Sequence, residues 1–169
     1  SAGIDDRVVL GNQLPKWMAG INNSFTYKNW DLSFFIYTRQ GVQFQNSLLS
    51  GTMGELGSNR YNHLNLNYWT VDNPTNDYFG VWQGNPYRQA IQYKDASFWR
   101  LANVTLGYNL PKSVLNKIKF GNLRLYLQAT NPFVYTKEKN IWMDPEFNSG
   151  TYQDDVPNSV YSFGVSASF

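Results

Sequence analysis

The sequence has no cysteine and a single histidine, His63, in 169 residues. Without thiols it can build neither a disulfide framework nor a thiolate metal site. An oxidising envelope compartment is compatible with that absence and is not established by it. Charge is also scarce: 15% of residues, with a formal net charge of +2, where roughly a quarter is usual. A near-neutral chain of this kind points to no polyanionic partner, and no nucleic-acid partner is expected. No apolar run approaches the ~18 residues of a membrane helix. The opening Ser1-Ala2-Gly3-Ile4-Asp5-Asp6 lacks the basic and apolar regions of a secretory leader. In an envelope protein the true N-terminus would then lie elsewhere, and the sequence reads as a fragment. No phosphate-cradling glycine loop and no nucleophile elbow occur.

Aromatic residues are abundant, at 17%, although mean hydropathy is only −0.47. The two values are reconciled by alternation. In 95–111, Ala102, Val104, Leu106 and Tyr108 fall on one parity, and Asn103, Thr105, Gly107 and Asn109 on the other. This predicts a β-strand with one apolar and one polar face. It is longer than the usual 5–6 residues and suits the roughly 9–11 of a tilted membrane strand.

Four more runs share the pattern. In 16–28, Trp17, Ala19, Ile21, Phe25 and Tyr27 oppose Gly20, Asn22, Ser24 and Thr26. A turn at Lys28-Asn29 leads to 30–42, where Trp30, Leu32, Phe34 and Ile36 oppose Asp31, Ser33, Tyr37 and Arg39. Two long alternating runs joined by so short a turn predict a hairpin. In 122–131 Leu123, Leu125, Leu127 and Ala129 oppose Arg124, Tyr126, Gln128 and Thr130. In 159–169 Tyr161, Phe163, Val165, Ala167 and Phe169 alternate with serine and glycine. Between the second and third runs, 43–94 reads as one long irregular loop, rich in Gly, Asn and Ser, with turns at Asn73-Pro74 and Asn85-Pro86. Residues 132–158 form another. The stretch 111–121 predicts a single helical turn capped by Ser113, with Leu115 and Ile118 on one face and a solvated lysine face.

Across the five apolar parities the only charge is Arg100, expected at the loop end of its strand, where water or a headgroup reaches it. Arg or Lys at mid-bilayer costs roughly 2–4 kcal/mol, so this is the pattern that a lipid-facing surface requires. Trp17, Tyr27, Trp30, Phe98, Tyr108, Tyr161 and Phe169 gather at strand ends, as aromatic girdles do. Five strands cannot close a barrel, and free edges in lipid leave backbone groups unpaired. A partner sheet is therefore expected. The other architecture that composition allows is a secreted β-sandwich carbohydrate-binding module.

Ser97-Phe98-Trp99-Arg100-Leu101, then Asn103-Val104-Thr105-Leu106-Gly107-Tyr108 and Leu110-Pro111, resembles the late-barrel signature of the SusC/RagA family. Members of that family are TonB-dependent outer-membrane transporters of the Bacteroidetes. Asp5 to Gly11 with Leu14-Pro15, Tyr68 to Tyr78, and Asp144-Pro145-Glu146 are similar to further segments of it. The terminal Phe169 preceded by alternating apolar residues resembles a strand read by the barrel assembly machinery. The resemblance implies an all-β, antiparallel transmembrane β-barrel segment with long extracellular loops. It would be the last five strands of a barrel of about 22, with the plug and earlier strands outside this chain. The first strand would descend and the C-terminus would be periplasmic. The implied function is import of a large nutrient, an oligosaccharide or peptide, across the outer membrane. The implied partners are a SusD-like surface lipoprotein, the TonB complex, the rest of the transporter and outer-membrane lipid.

No catalytic constellation, cofactor site or metal site is assigned. The lone His63 reads as a solvated loop residue, and Asp5-Asp6 is too few ligands for a hard cation. Asp144 with Glu146, or Asp154-Asp155, could in principle form the carboxylate pair of a glycosidase; with nothing else pointing to hydrolysis, no enzyme is predicted. Loop aromatics stack on sugars or on apolar peptide side chains, or else pack the loop against itself or a partner. The candidates for substrate or partner contact are Trp69, Tyr78, Trp82 and Tyr87. Those for lining the lumen are Tyr37, Arg39, Arg124, Tyr126 and Gln128.

Overall fold

A computed structural model describes residues 8–46, 65–80, 92–138, 144–146 and 158–168. Five long strands, each antiparallel to its neighbours, form one sheet in the order β1-β2-β5-β6-β7. They are β1 (Trp17–Tyr27), β2 (Trp30–Gln40), β5 (Phe98–Asn109), β6 (Asn122–Thr136) and β7 (Val160–Ser168). The expected β1–β2 hairpin pairs from Tyr27↔Trp30 to Trp17↔Gln40 without interruption. Its turn carries Lys28 at φ 54°, the left-handed conformation such tight turns demand. The Asn29 side chain donates to the Asn109 carbonyl at 2.8 Å, and Asn109 N–H donates back to the Asn29 carbonyl at 2.8 Å. This turn is thereby fixed to the end of β5.

The stretch read as wholly irregular begins and ends in structure. β3 (Gln43–Gln45) and β4 (Tyr93–Asp95) form a small antiparallel ladder. Phe44 and Ala96 are buried there, with Val42 packed against them. Three-residue strands are too short to show alternation, so the pairing left no trace in the sequence. The connector after β5 is helix α1 (Lys112–Ile118), two turns rather than one. Pro111 occupies its N-cap with no side-chain hydrogen bond, so Ser113 does not cap it. Pro111 is extended through its ψ of 148°, so the helix starts at Lys112 and Ser113 lies inside the first turn. Leu115 is buried, but Ile118 is exposed. Lys119 at φ 58° ends the helix.

Two register shifts decide which side chains share a face. Opposite β2, Phe35 pairs with Asn103 but Ile36 pairs with Leu101, so Ala102 is an extra residue, a β-bulge. Beyond it the parity of β5 reverses. Leu101 and Trp99 join Val104, Leu106 and Tyr108 on the apolar face, and Arg100 and Phe98 move to the polar face. This corrects the sequence expectation for Arg100. The second shift lies in β6, where Thr130 pairs with Asn103 and Phe133 with Leu101. Asn131 adopts φ 51° there. The irregularity takes Pro132, which has no N–H, out of the ladder, and β6 runs five residues past its expected end.

The apolar face is bare. Ile21, Phe25, Leu127, Phe163 and Val165 are all more than half exposed; β6 is paired on both sides, and β1 and β7 are the edges of the sheet. A soluble sandwich would cover such a face with a second sheet. The only other sheet among the described residues is the small β3–β4 ladder. No described helix is long and apolar enough to cross a membrane, which does not bear on crossing by strands.

Candidate functional site

The polar face carries two ion-paired clusters. At the end of the sheet where β1 and β2 join by their short turn, Asp31 of β2 reaches across β5 to Arg124 of β6. Arg124 Nη2 lies 2.6 Å from Asp31 Oδ2, and Nε donates to Oδ1 at 3.1 Å. The bridge passes over Gly107, where a Cβ would lie 2.5 Å from both the Arg124 guanidinium and the Asp31 carboxylate. The Arg124 guanidinium carbon also sits 5.4 Å from the Tyr126 ring centroid. The Tyr126 ring occupies the space that a side chain at Gly164 would need.

Toward the end bearing the long connections, Arg100 is the centre of a second cluster. Its Nη2 lies 2.6 Å from Asp144, and the two side chains are only 3% and 6% exposed. Arg100 Nε is 2.9 Å from Glu146 Oε2, close enough for attraction but without the alignment of a hydrogen bond. Tyr37 donates its hydroxyl to the same Glu146 carboxylate, and Arg39 approaches it at 3.4 Å. Glu146 N–H donates to Asp144 Oδ1 at 3.0 Å, so the turn carrying both carboxylates is internally braced. Phe35 stacks on Tyr37 at 5.7 Å, and Phe98 meets Tyr37 edge-on at 5.6 Å.

Tyr37, Arg39, Arg124, Tyr126 and Gln128 therefore share one face by register. Asp144 and Glu146 are occupied by cations, which leaves neither free as a hydrolytic acid or base. Sequence reasoning did not foresee this cluster. The available signal was Arg100 itself, a lone charge on an otherwise uncharged parity, which needs a partner if buried.

The loop segment 65–80 is tied into a knot. Trp69 N–H donates to the Tyr78 carbonyl at 3.0 Å, and Asn73 N–H to the Thr70 carbonyl at 3.2 Å. Asn67 donates to Asp77 at 2.7 Å and accepts from Asn73 at 2.9 Å. These bonds border a cleft of about 560 Å³ lined by Asn65, Leu66, Asn67, Tyr68, Thr70, Asn73 and Tyr78. Trp69 is 38% exposed, whereas Tyr78 is 4% exposed and lies under Lys94, whose Nζ is 5.4 Å from the ring centroid. Trp82, Tyr87, His63, Asp5, Asp6, Asp154, Asp155 and Phe169 lie outside the described residues.

Where β4 meets β5, burial pushes the Asp95 carboxyl up. Hydrogen bonds from Ser97 and Lys137 outweigh burial and hold it below the ordinary aspartate value. Lys137 Nζ lies 3.4 Å from Asp95. No group of three or more potential metal ligands occurs among the described residues.

One five-stranded antiparallel sheet, uncharged and apolar on one side and ion-paired on the other, is the wall of a transmembrane β-barrel. No family model matches the chain. Individual proteins do: TonB-dependent receptor P3 of Formosa agariphila is 32% identical over 160 residues, covering 89% of this chain and 14% of the relative. TonB-dependent receptor SusC of Bacteroides thetaiotaomicron is 28% identical over 173 residues, covering 97% of this chain and 16% of SusC. Among solved structures, the RagAB peptide importer in its closed-closed state superposes with a TM-score of 0.74 and 27% identity, covering all of this chain and 19% of that one. Its open-open state gives a TM-score of 0.69 at 29% identity, covering 92% of this chain and 17% of that one. The chain is thus homologous to a segment of the SusC/RagA-type TonB-dependent receptors, which are outer-membrane transporters and not enzymes. It spans about one-seventh of the length of the curated relatives it matches.

Proposed function

We propose that the full-length protein is an active outer-membrane transporter for a large nutrient, an oligosaccharide or a peptide. In this reading a SusD-like lipoprotein covers its outer mouth and the TonB complex drives it. Residues 1–169 are the C-terminal part of its barrel; the plug and earlier strands are elsewhere in the protein. The observation that carries the reading is the pairing of faces: an uncharged apolar surface backed by a polar, ion-paired one, in a chain homologous to TonB-dependent receptors. The outer edges of β1 and β7 then pair with the remaining strands, because a bilayer supplies no other backbone partners.

The short turn at Lys28-Asn29 and helix α1 belong on the periplasmic side, as short connections of such barrels do. The long connections face outward, β1 descends, and β7 ends toward the periplasm. Tyr37, Arg39, Arg124, Tyr126 and Gln128 line the lumen. Trp69, Tyr78, Trp82 and Tyr87 are the loop contacts for substrate or lipoprotein. Trp69 is the first to test, since it is exposed while Tyr78 is buried.

Denaturing mass analysis of the detergent-extracted particle containing this chain tests the reading. The expected result is a polypeptide several times larger than 19.5 kDa, accompanied by a lipoprotein. A lone species of 19.5 kDa, soluble without detergent, overturns it. Competition for uptake between an oligosaccharide pool and a peptide pool then separates the two substrate classes.

A further inference from the structure

We propose that Arg100 is the anchor that holds the connection between β6 and β7 against the inner wall of the transporter's outer mouth. The proposal rests on the transporter reading above and goes beyond it by assigning Arg100, Asp144 and Glu146 a shared role. The two acidic residues sit 44 and 46 positions beyond Arg100, in the connection that follows β6. A single turn, Asp144-Pro145-Glu146, returns to the wall and delivers both carboxylates to one buried guanidinium. Tyr37 and Arg39, from the neighbouring strand, hold Glu146 from its other side.

The bulge at Ala102 makes this possible. Regular alternation along β5 would send Arg100 to the apolar face with Val104 and Leu106. The extra residue turns it to the polar face instead, and both Arg100 and Asp144 are almost completely removed from solvent. A buried ion pair contributes little net stability compared with apolar packing, but removing one partner is costly. Such a pair is therefore better suited to specifying where a segment sits than to holding a fold together. Arginine is the side chain for this task, because its planar fork serves two carboxylates at once and lysine's point charge does not. The connection from β6 to β7 is thus pinned near its middle, and the mouth has a fixed element on this wall.

The test uses the full-length transporter, purified in detergent, under limited trypsin digestion. Cleavage after Lys137 and Lys139, which lie between β6 and the anchored turn, is read by mass. Heat-modifiable electrophoretic mobility reports barrel assembly separately. In Arg100→Leu, mobility stays as in the wild type and cleavage at these two lysines rises at least about tenfold, as the local opening equilibrium sets the rate. Arg100→Lys gives an intermediate rate. Because Arg100 and Asp144 act through one tether, Arg100→Leu combined with Asp144→Asn cleaves no faster than Arg100→Leu alone. Wild-type cleavage rates in Arg100→Leu, or multiplied rates in the double variant, overturn the anchor while leaving the barrel reading intact. A wild-type protein that shows no heat-modifiable shift and needs no detergent removes both.

Discussion

Asp31 and Arg124 form their 2.6 Å ion pair across an entire intervening strand, and they can do so only because residue 107 is glycine. The side chains stand on β2 and β6, and β5 runs between them. Gly107 faces the same side as both and offers no Cβ to block the crossing. Gly107→Ala therefore has to displace the bridge. The expected cost is about 0–1 kcal/mol, the range for losing a partly exposed ion pair whose side-chain ends can move aside. Urea titration of the full-length protein in lipid vesicles measures it. Asp31→Asn in the Gly107→Ala background should add little, since the bridge is already broken. A full additional loss in the double variant would show that the glycine and the ion pair are independent.

Leu127 and Gln128 are neighbours in the middle of β6 that face opposite ways. Leu127 pairs with Leu106 and Phe163 on the apolar side; Gln128 pairs with Thr105 and Ser162 on the polar side. Leu127→Arg should cost roughly 2–4 kcal/mol in a bilayer, the depth-dependent penalty for arginine facing lipid. Gln128→Arg should cost well under half of that, because its head remains in water. The same titration in vesicles compares the two. Equal costs would mean that both faces of β6 meet water and that the apolar face does not meet lipid.

Asp95 supplies a pH dependence outside the membrane strands. Its ionised form is favoured by the Ser97 N–H at 2.9 Å and by Lys137, and its folded pKa lies below the ordinary value. A carboxyl depressed on folding adds stability that is fully present above the unfolded value of about 3.9 and fades as pH falls through the lower folded one. Asp95→Asn should therefore lower the melting temperature at pH 7. The two melting curves should converge at the acid end of the range, where wild-type Asp95 is protonated. A difference that persists unchanged at the lowest pH would assign the effect to shape rather than charge.

Alternation made the five long strands and their faces legible, because one side chain in two must suit lipid and the other water. The hairpin at Lys28-Asn29 was legible for the same reason, with a turn too short for anything else. What the pattern could not carry were features that depend on pairing between strands. Gln43–Gln45 and Tyr93–Asp95 are too short for a period and exist only because each finds the other. The Arg100 cluster was hidden because Ala102 looks like any other apolar residue of its parity. Only the register against Phe35 and Ile36 shows that it is a bulge. The polar-face placement of Arg124, Tyr126 and Gln128 was legible because the ladders of residues 124–130 with β5 and β7 have no such break.

That contrast gives a prediction about deletions. Removing a residue from an unbroken ladder turns every side chain on one side of the cut to the opposite face. Deleting Gln128 should turn Arg124 toward lipid, carry Leu125 and Leu127 to the polar side, and abolish assembly. Deleting Ala102 should behave differently. Leu101 already faces the apolar side and Asn103 the polar side, so the shortened strand alternates correctly and Arg100 stays opposite Tyr37. The variant should therefore reach the folded, heat-modifiable form, with a loss of stability confined to the rearranged pairing against Phe133 and Thr130. Electrophoresis of unheated outer-membrane extracts reads both outcomes directly. Failure of the Ala102 deletion alongside success of the Gln128 deletion would place the parity change somewhere other than residue 102.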